Sequence, residues 1–186
     1  MRFNDLAKLI KASTAIADLI YILEILVHGF TFVPLNYDNI EPVEDRQNLE
    51  FMDSRTQKKA LRDQLIKKRD ALSDDYRRSA SSGIFMSLRS WKPYLDAKGV
   101  FTYVSFRSEP DTHDIMEDIL ADGRSLFVPR TRWEPKGLDL IRIRDRKELK
   151  VTRFGLHEPE DHLPPALIQE IDLVLVPGLS FTLEGG

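Results

Sequence analysis

Glu109 stands in a turn, Arg107-Ser108-Glu109-Pro110-Asp111-Thr112, directly after an apolar, β-branched and aromatic run over residues 100–106 (VFTYVSF) that reads as a strand. Ligands of open α/β sheets sit outside the carboxyl ends of strands. A helix opening at Asp111 or Thr112 would point its free amides at the same crevice. The strand end at Val104 and Ser105, with Glu109 as an acceptor for a donor-rich ligand, is therefore the first place to look for chemistry. The same pattern also describes a solvated glutamate ahead of a capped helix, and the turn alone does not choose. Two other segments share that ambiguity. Lys58, Lys59 and Arg62 either serve a ligand or form the exposed side of a helix. Pro177-Gly178-Leu179-Ser180-Phe181 is a sharp exit from a strand into a loop, functional or structural.

Composition narrows the chemistry. The 186 residues contain no cysteine, which rules out disulfides, thiolate nucleophiles and cysteine-based zinc sites in this chain. The four histidines (His28, His113, His157 and His162) lack H-x-x-x-H or H-E-x-x-H spacing, so no histidine metal site is expected. A net charge of −3, from 27 basic and 30 acidic residues, argues against a nucleic-acid binder driven by overall positive charge. The length suits one domain with a sizeable core.

The elements that must position these residues begin after residue 53. Over 54–71 the helical pattern carries Leu61 and Leu65, with Leu72 just beyond, amid Lys58, Lys59, Arg62, Lys67, Lys68 and Arg69. Ser73, followed by Asp74 and Asp75, caps a second helix whose buried side is read as Tyr76, Ala80, Ile84 and Leu88. After the 100–106 strand, a helix carries Ile115, Ile119 and Leu120 and stops at Gly123. Residues 125–129 and 138–143 read as strands. Pro164 and Pro165 open a short helix towards Ile171, and 172–176 (DLVLV) reads as a central strand covered on both faces. This rhythm predicts a layered α/β domain over 54–186.

Residues 1–53 are read as an N-terminal extension and linker. The apolar stretch over 12–33 includes Asp18 and Glu24, which disfavour a membrane span and a signal peptide. Prolines, asparagines and acids dominate 34–56, and Met52 is a plausible natural start.

The pieces are far more specific in their order. Lys58-Lys59-Ala60-Leu61-Arg62, Ala71-Leu72-Ser73, Tyr103-Val104-Ser105, Glu109-Pro110-Asp111-Thr112, Phe127-Val128-Pro129, Gly155-Leu156-His157-Glu158-Pro159 and Ile171-Asp172-Leu173-Val174-Leu175-Val176-Pro177-Gly178-Leu179-Ser180-Phe181 together resemble 5-formyltetrahydrofolate cyclo-ligases, also called 5,10-methenyltetrahydrofolate synthetases. The resemblance spans 54–186. It implies an α/β, Rossmann-like three-layer sandwich and ATP-dependent conversion of 5-formyltetrahydrofolate to 5,10-methenyltetrahydrofolate with magnesium. In that reaction the formyl oxygen is phosphorylated, the second folate nitrogen closes the ring, and phosphate leaves. Such a transfer needs positioning and charge neutralisation more than a protein nucleophile. The resemblance places ATP at Lys58, Lys59, Ala60, Leu61 and Arg62, makes Arg62 the catalytic and folate-adjacent cation, and makes Val104 and Glu109 folate contacts. Expected partners are 5-formyltetrahydrofolate and ATP, without nucleic acid or membrane, for a monomer in the cytoplasm or alternatively the mitochondrion.

Departures from the pattern shape one more expectation. The family carries an aspartate after Gly-Leu-x-Phe, where this chain has Thr182. It then continues with R-L-G-x-G-x-G-Y-Y-D, whose glycines let backbone amides wrap the ATP phosphates and whose aspartate helps hold magnesium. Gly185-Gly186 stands where that run begins. The expectation is a domain incomplete at the C-terminus and not a competent enzyme as it stands, the alternative being a non-catalytic folate-binding or interaction protein.

Overall fold

The computed structural model describes residues 54–152 and 154–179. The expected extension over 1–53, together with Ser180, Phe181, Thr182, Gly185 and Gly186, lies outside the described residues.

Charge and capping explain the first two helices. Helix α1, Ser54–Asp70, ends on Lys67, Lys68 and Arg69, cations that suit the negative end of its dipole. Helix α2, Asp74–Arg89, starts as expected: the Ser73 hydroxyl accepts from the Tyr76 amide at 3.2 Å, and Asp74 and Asp75 fill the first turn. Of its expected inner face, Tyr76, Ile84 and Leu88 are turned inward and Ala80 is not. Ala80 is exposed, whereas Ser81 is half-buried and accepts from the Asp111 amide at 2.9 Å. A serine reads as a surface residue in sequence; here it turns inward because a loop amide needs an acceptor. A five-residue helix, α3 (Lys92–Asp96), had no signal beyond Pro93 near its start, and it buries Tyr94 completely. Helix α4, His113–Ala121, buries Ile115, Met116 and Ile119, and Gly123 follows in the left-handed region at φ 72°, the stop its position predicts.

The main sheet has the order β3-β2-β1-β6. Strand β1 (Gly99–Thr102) lies parallel to β2 (Ser125–Arg132) and to β6 (Leu173–Leu175), and β2 runs antiparallel to β3 (Gly137–Ile143). Strands β4 (Leu149–Val151) and β5 (His157–Pro159) form a separate antiparallel pair, which the sequence reading did not foresee. Period-2 alternation sorts the side chains. Val100, Leu126, Val128, Ile141, Ile143 and Leu173 pack with residues of α2, α3 and α4 on one face. On the other, Phe101, Phe127 and Val174 pack with Ile171, Ala166 and Ile168.

Three boundaries differ from expectation. Strand β1 stops at Thr102 rather than Phe106, because Tyr103 onward leaves the sheet to form the loop. Strand β2 runs on to Arg132, since the hairpin with β3 pairs it along its whole second half. The helix expected after Pro164 and Pro165 does not form: Pro165 bridges Ile141, and only a 3-10 turn follows at Ile168–Glu170. Within β6, Leu173 and Val174 point to opposite faces and both are buried, as a strand covered on both sides requires; among the described residues its one partner strand is β1. No helix among the described residues is long and apolar enough to cross a membrane.

The start of β1 carries a testable constraint. A Cβ on Gly99 would lie 1.9 Å from the Glu170 carbonyl oxygen and 3.3 Å from the Phe127 ring. The Asp172 carboxylate meanwhile accepts from the Lys98 and Gly99 amides at 2.9 Å each, pinning β6 beside β1. Gly99→Ala is expected to cost about 1–3 kcal/mol by overpacking. Urea unfolding checks this, and a wild-type midpoint would show that the approach relaxes freely.

Candidate active site

Helix α1 brings Arg62, Ile66 and Arg69 to one side at i, i+4 and i+7, a single helical face. That face borders a cavity of about 310 Å³ beside the carboxyl ends of β1 and β6. Phe101 and Tyr103 contribute from β1 and its exit, Pro129 and Leu138 from the β2–β3 hairpin, and Leu175 to Leu179 from β6 and its exit. Glu109 is the lining carboxylate. The volume falls in the range of small-ligand sites, which are mostly apolar with a few placed polar groups.

Hydrogen bonds within the loop fix Glu109. Its Oε2 accepts from the Phe106 amide at 3.0 Å, and its own amide donates to the Phe106 carbonyl at 3.2 Å. Oxygen Oε1 has no partner among the described residues. Closing so tight a turn puts Arg107 in the left-handed region at φ 56°, where a Cβ costs roughly 1–2 kcal/mol; its guanidinium rests over the Phe106 ring at 4.9 Å. Ser105 and Thr112 exchange amide-to-hydroxyl bonds at 3.1 and 3.4 Å, tying both loop ends together. Asp111 accepts from the His113 amide at 2.8 Å. Burial opposes ionisation of Asp111, but bonds and charge from His113, with the Ser105 hydroxyl, hold its carboxyl below the usual value. The Tyr103 phenol is pushed up by burial and by the Glu109 and Asp111 carboxylates, only partly offset by Arg69, so it remains a donor to the Pro110 carbonyl at 3.0 Å.

The expected site residues separate into groups. Arg62 and Glu109 line the same cavity. Lys58, Lys59, Ala60 and Leu61 are exposed on α1 before that face and do not line it, Leu61 being 52% exposed. Val104 points the other way and packs against the helical-side core, so its side chain is not brought to the cavity. Conversely, Ile66, Arg69, Phe101, Tyr103, Pro129 and Leu138 line the cavity without having been singled out as site residues. The i, i+4, i+7 spacing of Arg62, Ile66 and Arg69 was the available signal for the helix. Pro129 was marked only as part of Phe127-Val128-Pro129 in the resemblance and nothing local marked Leu138; the β2–β3 pairing brings both to the site.

Aromatic and apolar walls suit a flat heterocycle, a free carboxylate oxygen accepts from ring N–H groups, and guanidinium groups bind oxyanions. Among the described residues, no group of three or more His, Asp or Glu side chains is placed to hold a metal ion.

The 5-formyltetrahydrofolate cyclo-ligase family profile matches residues 54–186. A mouse 5-formyltetrahydrofolate cyclo-ligase is 28% identical over 134 residues, covering 69% of this chain and 66% of the mouse protein. The corresponding protein of Saccharomyces cerevisiae is 29% identical over 146 residues, covering 69% of this chain and 68% of its own length. The solved structure of Aquifex aeolicus 5,10-methenyltetrahydrofolate synthetase superposes with a TM-score of 0.58 at 27% identity, covering 67% of this chain and 62% of that one. The chain thus spans about two-thirds of the length of these relatives. With the expected motif order and α/β sheet both present, and a match over everything after the N-terminal segment, this chain belongs to the 5-formyltetrahydrofolate cyclo-ligase family.

Proposed function

We propose that this domain serves the ATP-dependent cyclisation of 5-formyltetrahydrofolate to 5,10-methenyltetrahydrofolate. The observation that carries the reading is the convergence of Arg62 and Glu109 on one aromatic-walled cavity, from segments 47 positions apart in sequence. Glu109 Oε1 accepts from the N–H edge of the pterin, while Phe101 and Tyr103 flank its flat ring. Arg62, which has no ion-pair or hydrogen-bond partner among the described residues, meets phosphate oxygens. Lys58 and Lys59, exposed one turn earlier, draw the triphosphate towards the Ala60-Leu61-Arg62 stretch. Val104 acts from behind, seating the loop on the core so that Glu109 is held at the rim.

ATP supplies the phosphoryl group that turns the formyl oxygen into a leaving group. Magnesium, bound with ATP, would help neutralise the phosphate charge; among the described residues no acidic cluster is placed to hold it. The residues here bind, orient and neutralise charge, and none is asked to be a nucleophile. Charges held in place before the reaction cost no reorganisation as charge develops.

Equilibrium dialysis of the purified chain with 5-formyltetrahydrofolate tests the folate site, and near-ultraviolet absorbance of the methenyl product with ATP and magnesium tests turnover. Glu109→Gln is expected to weaken folate binding roughly tenfold, since a neutral amide replaces a charged acceptor. Neither folate binding nor ATP-dependent product would sink the reading. Binding without product would confine the chain's own role to holding folate.

A further inference from the structure

Arg69 belongs to none of the motifs that carried the family resemblance, yet it lies on the cavity wall two helical turns beyond Arg62. Its neighbours Lys67 and Lys68 are exposed, as surface cations ordinarily are, whereas Arg69 is half-buried. Its Nε donates to the Ser108 hydroxyl at 3.0 Å, and that hydroxyl donates in turn to Asp70 Oδ1. Ser108 is only 7% exposed, so its hydroxyl is shielded from water although Asp70 is exposed. One edge of the guanidinium is thereby fixed. Its two terminal amino groups have no hydrogen-bond or ion-pair partner among the described residues.

Arg124 shows what a structural arginine looks like in the same molecule. Its terminal nitrogens are occupied by the Tyr94 carbonyl, Asp118 and Asp122, at 2.8 to 3.0 Å. Arg69 has the positioning without the partners. A guanidinium anchored at Nε, with its outer fork open beside a cavity, matches the geometry for two-point binding of an oxyanion. The anchoring serine also sits next to Glu109 in the chain, so the Ser108 joint sets the helix wall and the Glu109 loop in a common frame.

We propose that Arg69, positioned by Ser108 and Asp70, is a second oxyanion-recognising group of the cavity, reading either a carboxylate of the ligand whose donor edge meets Glu109 or a phosphate of the ligand bound beside it. The inference rests on the folate reading for the identity of those ligands. The carboxylate source is the glutamyl part of the folate and the phosphate source is ATP.

Equilibrium dialysis of the full 186-residue chain with 5-formyltetrahydrofolate, with 5-formyltetrahydropterin (which keeps the donor edge and carries no carboxylate), and with ATP separates the sources. Arg69→Gln is expected to weaken one oxyanion ligand at least about tenfold while leaving the pterin unchanged. Loss on the glutamate-bearing folate assigns the carboxylate, and loss on ATP assigns the phosphate. Arg69→Lys keeps charge but not the fork and recovers only part of the affinity. Ser108→Ala, which leaves Arg69 in place but unanchored, weakens the same ligand to a smaller degree. Wild-type affinities for all three ligands in Arg69→Gln overturn the proposal, as does an equal loss on all three, which marks a merely structural residue. If Glu109→Gln still weakens folate while Arg69→Gln does not, the folate reading survives and this one alone falls. A wild-type chain that binds none of the three ends both.

Discussion

Asp118→Ala is expected to cost about 3–5 kcal/mol of folding stability, the loss associated with removing one partner of a buried ion pair. Asp118 and Arg124 are only 10% and 9% exposed at their side chains. Asp118 Oδ2 accepts from the Tyr94 hydroxyl at 2.8 Å and from Arg124 Nη2 at 2.9 Å, while Oδ1 meets Arg89 Nε at 3.3 Å. Burial, reinforced by Asp118, pushes the Tyr94 phenol up and keeps it a donor, with Arg124 working in the opposite sense. The Arg124 guanidinium also lies 4.6 Å over the Tyr94 ring. Removing the carboxylate would leave a shielded cation and a buried hydroxyl at the junction of α3, α4 and β2. A domain is usually stable by only about 5–15 kcal/mol, so this one change takes a large share. Asp122→Ala is the control, because its side chain is 56% exposed and pairs with the same Arg124 from the rim; such a pair contributes about 0–1 kcal/mol. Urea denaturation of both variants checks the contrast. Equal, small effects would mean that the network is not what joins these elements.

Arg62→Ala is expected to reduce ATP affinity or the rate of product formation at least tenfold, a change of about 1.4 kcal/mol or more. Of the expected ATP segment, Arg62 is the member that lines the cavity. A guanidinium there can bridge phosphate oxygens in a fixed geometry, which an ammonium does not reproduce, so Arg62→Lys should recover only part of the loss. Lys58→Ala should act more weakly, and its effect should fade as salt rises, because an exposed charge acts through a screened field. Dialysis against ATP and the absorbance of the methenyl product, each at low and high salt, distinguish these behaviours. Wild-type values for both measurements in Arg62→Ala would remove Arg62 from the site.

The sequence by itself determined those features that depend on neighbours in the chain. Ser73 with Asp74 and Asp75 announced α2, Gly123 announced the end of α4, and the alternation in 138–143 gave β3, because caps, stops and pleat periodicity act over a few residues. Motif order was enough to place the chain in its family and to mark Arg62, while Glu109 was legible both from that order and from the turn after the strand. Tertiary structure decided the rest. Val104 and Glu109 are five positions apart, yet one faces the core and the other the cavity, because β1 ends at Thr102 and the chain turns over at Arg107. Ser81 and Ser108 look like surface residues in sequence, but each is drawn inward by a partner more than 25 positions away. Pro165 stands where a helix start was legible, and the distant Ile141 claims it for a bridge instead. Hydrogen-bond donors and acceptors that approach from remote segments leave no periodic trace in the local pattern. For that reason the anchored Arg69 could not be told from its solvated neighbours Lys67 and Lys68 until the loop carrying Ser108 was folded against it.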